Sequence, residues 1–172
     1  ETFMANWESY DDVELPISAT SIISFYATGV ASLRAAVMRD YQHIVQDMPV
    51  FDAGGRITTN LTELCKSLMC LKSEKVPSNE TVARLRRVAW CTIPKMRRRI
   101  LEAMADNSWS TSERISEKIS IPEPTIREQL EDLWVAELME RKKDGRAARQ
   151  YRFASFLTEW FQTLKFSEEF GI

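Results

Sequence analysis

The chain has 172 residues, 44% of them hydrophobic and 28% charged, with a formal net charge of −2. These are ordinary values for a globular protein of one or two small domains, each burying a core of its own. No run reaches the ~18 apolar residues of a membrane span, and the acidic start (Glu1, Glu8, Asp11, Asp12) lacks the basic region of a signal peptide, which predicts a cytoplasmic protein.

The first residue is not Met, which predicts a processed chain or a piece of a larger protein. Cys65, Cys70 and Cys91 show no CxxC spacing, so reduced thiols are expected, with Cys65 and Cys70 in an apolar helical pattern. His43 is the only histidine, which excludes most His-based metal sites, and no cofactor is expected. The small net charge hides an asymmetry. Acids dominate up to Arg56, and beyond it bases gather in two runs, Arg84 to Arg99 and Arg141 to Arg152. Local charge, not the total, decides whether a polyanion docks.

In chain order, residues 1–16 read as an acidic tail with isolated aromatics (Phe3, Trp7, Tyr10). Ser18 or Thr20 is placed to cap a helix running to about Asp47 and ended by Pro49, its apolar stripe extending from Ile22 to Val45. The segment from Phe51 to Arg56 is a break, followed by a helix from about Thr59 to Ser73. Ser78 or Asn79 caps a third helix to about Trp90, and Pro94 suits the first turn of a fourth, to Ala105. Residues 17–91 thus form a helical domain, in which lid-like and dimerisation roles both stay open.

Trp109 then sits in a short break where it can pair as a brief strand. Ser110, with Glu113 three residues on, has the form of a capping box for a short helix to Ile119. After a turn at Ser120-Ile121-Pro122, another helix is expected from Glu123 to Ala136, with Ile126, Leu130 and Leu133 inward. Leu138 to Lys143 reads as a strand, Asp144-Gly145 as a hairpin turn, and Arg149 to Phe153 as the returning strand. Phe156, Leu157, Trp160, Phe161 and Leu164 share one face of a closing helix, which either packs on the rest or forms a dimer interface. The fold expected is mainly α with a small β-wing.

From Ile93 to Phe153 this order of elements resembles the winged helix-turn-helix superfamily. The likeness rests on Ser110-Thr-Ser-Glu-Arg-Ile-Ser-Glu-Lys-Ile119 and Thr125-Ile-Arg-Glu-Gln-Leu-Glu-Asp-Leu133. It implies double-stranded DNA as the partner, with the 123–136 helix in the major groove and the hairpin on the backbone. Thr125, Arg127 and Gln129 would then face the groove, and Arg141, Lys142, Lys143, Arg146 and Arg149 would hold phosphates. Arg97 and Arg98 offer further phosphate contacts, although a solvated charged helix face explains them equally well.

The recognition helix itself is acidic (Glu123, Glu128, Glu131, Asp132), a poor match to phosphates. Any DNA contact is therefore expected to be led by the wing and weakly specific. The alternative is a protein-interaction module whose acidic helix meets a basic partner.

Residues 56–89, through Gly55-Arg-Ile-Thr-Thr-Asn60 and Val76-Pro-Ser-Asn-Glu-Thr-Val82, resemble the helical lid of AAA-type ATPases, including replicative helicases of mobile elements. The resemblance implies that Arg56 or Arg84 reaches nucleotide phosphates in an intact ATPase. The rival account is a dimerisation or effector-sensing domain of a transcription regulator. The chain contains no GxxxxGK[ST] sequence and no catalytic constellation, so no enzyme activity is expected of it alone.

Overall fold

The computed structural model describes residues 13–42, 44–47, 49–51, 54–143 and 148–165. Among these the chain is mainly helical, with one small three-stranded antiparallel sheet. It divides into two compact units: of the described residues, 13–31 and 54–92 form the first, and 32–51 with 93–165 form the second. Of the acidic tail expected at 1–16, residues 1–12 lie outside the described residues.

Helix α1 (Ile17–Leu33), whose last two residues and the chain beyond them to residue 51 belong to the second unit, starts on Pro16, whose carbonyl accepts from the N–H groups of Ala19 and Thr20. The chain leaves the helix fourteen residues before the Asp47 expected from the apolar stripe. Beyond Leu33 the β-branched Val37, Ile44, Val45 and Val50 favour extended backbone, and Ala36 exchanges both N–H···O bonds with Val50 at 3.0 and 2.9 Å. The Asp40 carboxylate turns the chain, accepting from the N–H groups of Gln42 (2.8 Å) and Ile44 (2.9 Å). The apolar residues there are spaced for either structure, and the long-range pairing with Val50 decides it.

Helix α2 (Gly54–Lys72) begins inside the expected break, with Thr58 and Thr59 hydroxyls donating back to the Gly54 and Gly55 carbonyls. It ends at Ser73, whose left-handed backbone (φ 53°) lets Glu74 N–H reach the Met69 carbonyl. Helix α3 (Asn79–Thr92) is capped by Ser78, whose Oγ accepts from Thr81 N–H. Helices α2 and α3 pack through Leu61, Cys65, Leu68, Thr81, Leu85 and Ala89. All three cysteines are free thiols.

In the second unit, α4 (Lys95–Ala103) follows Pro94, and β1 (Ser110–Thr111) leads directly into α5 (Ser112–Ile119). The cap of α5 is Thr111, whose side chain accepts from Arg114 N–H, not Ser110. Ser110 is buried in β1 opposite Tyr151 and its hydroxyl donates to the Ser108 carbonyl (3.3 Å), so the Ser110–Glu113 box does not form. Ser120 takes a left-handed turn (φ 52°), and α6 (Glu123–Val135) starts after Pro122.

Strands β2 (Met139–Lys142) and β3 (Gln150–Phe153) pair antiparallel, Met139 opposite Phe153 and Lys142 opposite Gln150, and β3 is central in the order β1-β3-β2. The tip expected at Asp144-Gly145, together with Arg146, lies outside the described residues. Helix α7 (Ser155–Lys165) buries Leu157, Trp160, Phe161 and Leu164, with Phe161 and Phe153 rings 5.4 Å apart. Ile100, Leu101, Met104, Ile115, Ile126, Leu130, Leu133, Met139, Tyr151 and Trp160 make the core of this unit.

No helix among the described residues is long and apolar enough to cross a membrane.

Candidate nucleic-acid interface

The period of a strand sorts the sheet into two faces. Met139, Tyr151 and Phe153 point into the core, so Glu140, Lys142, Gln150 and Arg152 lie on the outer face. Extending the β1–β3 register by one residue sets Trp109 opposite Arg152. The outer face therefore carries the row Trp109–Arg152–Glu140 beside the row Thr111–Gln150–Lys142.

Both cations of this face lie over one aromatic ring. Lys142 Nζ is 4.6 Å and Arg152 Cζ 4.7 Å from the Trp109 ring centroid. Arg152 also donates from Nε to Glu140 (2.7 Å), whereas no carboxylate among the described residues pairs with Lys142. Lys143, the next residue, is exposed. On the other side of β2, Arg141 stacks on Trp134, its Cζ 3.3 Å from the ring centroid. Arg149 is exposed and sits 3.4 Å from Glu131. Lys142, Lys143, Arg141 and Arg149 thus lie around the hairpin, with Arg152 and Trp109 beside them, two residues absent from the phosphate-binding and groove-facing set expected from the sequence.

Helix α6 is different. Ile126, Leu130 and Leu133 form its buried face, which puts Glu128 and Glu131 on the opposite side. Arg39 sits over that opposite side. Its Nη2 donates to the Glu128 carbonyl (3.3 Å), its Nη1 to Glu131 (3.4 Å) and its Nε to Asp132 Oδ1 (3.1 Å). Glu131 bridges two arginines, holding Arg39 on one carboxylate oxygen and Arg149 on the other. The acids that make α6 unattractive to phosphate are therefore largely matched inside the unit, and Arg39 occupies the middle of its outward face. Thr125 and Arg127 stay exposed near the start of α6, Arg127 lying 3.9 Å from Glu123, and Gln129 is half-buried. Thr125 and Gln129 are one turn apart on one side, with Arg127 on another.

Arg97 does not belong to any surface. It is 7% exposed, and its Nη1 donates to the carbonyls of Leu33 (2.7 Å) and Ala35 (2.9 Å). Its Nη2 lies 3.9 Å from Asp132. Burial lowers the Arg97 pKa, with Asp132 opposing. Burial likewise raises the Asp132 carboxyl, with Arg39 and then Arg97 opposing. A helix end and a buried carboxylate consume this guanidinium, so the expected phosphate contact at Arg97 is replaced by a structural one. Arg98 is half-buried, and Arg99 donates to the Ile119 carbonyl.

In the first unit, Arg56 is exposed and Arg84 donates to Glu80 at 2.7 Å. Among the described residues no group of three His, Cys, Asp or Glu side chains is placed to hold a metal.

No family model matches the chain, and neither a curated protein nor a solved structure is similar to it.

Proposed function

We propose that residues 93–153 form a winged helix that binds duplex DNA through its hairpin and the outer face of its sheet. The observation that carries this reading is the placement of Lys142 and Arg152 over Trp109, next to exposed Lys143, on the outer face of the sheet. Phosphate contacts supply affinity without sequence information, so the binding is weakly specific and strongly salt-dependent. In this reading α6 supports the hairpin, and Thr125 and Arg127 add contacts only at its first turn.

The rival reading, in which acidic α6 meets a basic partner, has less support because Glu128, Glu131 and Asp132 are already engaged by Arg39. In the larger setting, we propose that the module serves a DNA-associated ATPase or a transcription regulator, to which the first unit contributes the helical part.

Titration of a fluorescent mixed-sequence duplex with the full chain, at a series of salt concentrations, tests the reading. The expected result is binding at low salt that falls steeply as salt rises, with Lys142→Glu/Lys143→Glu abolishing it. A duplex affinity unchanged in that double variant, or no duplex binding at low salt, overturns the proposal.

A further inference from the structure

Trp109 is half-buried on the outer face of the sheet and is not among the buried side chains that make the core of its unit. Its surroundings give it another task. Lysine and arginine side chains on a hairpin are long and lose about 2 kcal/mol of rotamer freedom when fixed, a cost that normally falls on binding. Here the ring provides a fixed surface at nearly the same distance from both cations, 4.6 Å for Lys142 and 4.7 Å for Arg152. The two charges come from different strands, so neither strand alone could hold them together. Trp109 itself is anchored on both sides. Asn107, two residues before it, accepts from Phe153 N–H (2.8 Å) and donates to Thr158 (3.0 Å), and Ser110, just after it, is buried in the sheet.

Building on the DNA-binding reading, we propose that Trp109 is a positioning residue which fixes Lys142 and Arg152 together on the outer sheet face, so that both reach one stretch of phosphodiester backbone. Trp109 carries no charge and, in this proposal, makes no contact with the phosphates of its own. It acts by arranging two cations before the polyanion arrives, so that less side-chain freedom is lost on binding. The arrangement predicts that affinity depends on the aromatic face and not only on how many positive charges the hairpin bears.

The test uses the full chain and the same duplex. Trp109→Leu keeps apolar bulk and every charge but removes the ring, and is expected to weaken duplex binding about tenfold and to lower the salt slope by about one phosphate contact. Trp109→Phe retains a ring and should recover most of the loss. In a Lys142→Gln/Arg152→Gln background, Trp109→Leu should cost nothing further, because the residue acts through those two cations. Thermal unfolding of each variant reports whether the fold survives, and if Trp109→Leu does not fold, Trp109→Met, which also lacks the ring, is compared in the two backgrounds and decides by the same criterion. Wild-type affinity in Trp109→Leu, or an equal loss in both backgrounds, overturns the inference while leaving duplex binding itself intact. A wild-type chain that binds no duplex overturns the functional reading, and this inference with it.

Discussion

The guanidinium of Arg39 closes on the carboxylate of Asp132 across 93 residues of sequence, and both side chains are about nine-tenths buried. This pair fastens the 34–51 segment to α6 and, with Arg97 alongside, balances a carboxylate that α6 could not bury alone. Breaking one partner of a buried pair strands the other, which costs about 3–5 kcal/mol. Arg39→Ala is therefore expected to destabilise the second unit by about that amount in chemical denaturation. Adding Asp132→Asn should recover part of the loss, since it removes the stranded charge. Additive losses in the double variant would show that the two side chains are not coupled.

Arg97 and Lys143 should behave as opposites. Arg97→Gln removes bonds to the Leu33 and Ala35 carbonyls in a buried setting and should lower unfolding free energy by about 2–4 kcal/mol, with the salt slope of DNA binding by the folded protein unchanged. Lys143→Gln, on an exposed side chain, should leave stability within about 0.5 kcal/mol and reduce the salt slope by about one. Denaturation curves and duplex titrations at several salt concentrations separate the two.

These two residues also mark how far the sequence could be read. Periodicity and turn chemistry place α4 to α7 and the hairpin strands close to where they lie, because their signals are local: Pro94, Pro122, and apolar residues one turn apart. The three consecutive arginines at 97–99 look alike in sequence, yet one is buried under an incoming chain, one is half-buried, and one closes on the Ile119 carbonyl. What separates them is the 34–51 segment, whose helical-looking stripe yields to pairing between Ala36 and Val50. No local pattern announces that pairing. The hairpin cations were legible as a charge run, but the ring that gathers two of them was not, since Trp109 lies some thirty residues upstream and becomes their neighbour only through the β1–β3 register.

Glu74 carries a pH signature in the first unit. Burial alone would raise its carboxyl, but hydrogen bonds from Ser78 Oγ (2.6 Å), Ser78 N–H (3.1 Å) and Thr81 Oγ1 (2.9 Å), helped by Lys72, outweigh it and hold the group below its ordinary value of 4.5. A carboxyl depressed in the folded state contributes stability above its unfolded pKa and loses it as pH falls through the folded one. Glu74→Gln is expected to lower the melting temperature at pH 7, and the gap to wild type should shrink as pH drops below about 4.5. A gap that is constant from pH 7 to pH 3 would mean that the charge of Glu74 contributes nothing.

Glu140 offers the sharpest check on the proposal that the outer sheet face meets DNA. Its carboxylate is 2.6 Å from Arg152 Nη2, with both side chains 42% exposed, and it is the only acid among the described strand residues on the outer face of the sheet. A half-exposed pair of this kind contributes at most about 1 kcal/mol to stability, so Glu140→Gln should barely move the melting temperature. For a polyanion the same carboxylate is a local repulsion and a competitor for Arg152. Removing it should therefore strengthen duplex binding about three- to tenfold and steepen the salt dependence, because Arg152 is released to phosphate while Trp109 still holds it in place. If DNA approached from the α6 side instead, Glu140 would lie behind the contact and the substitution would change neither quantity. Affinity that stays flat in Glu140→Gln while falling in Arg127→Gln would move the interface from the sheet to the first turn of α6.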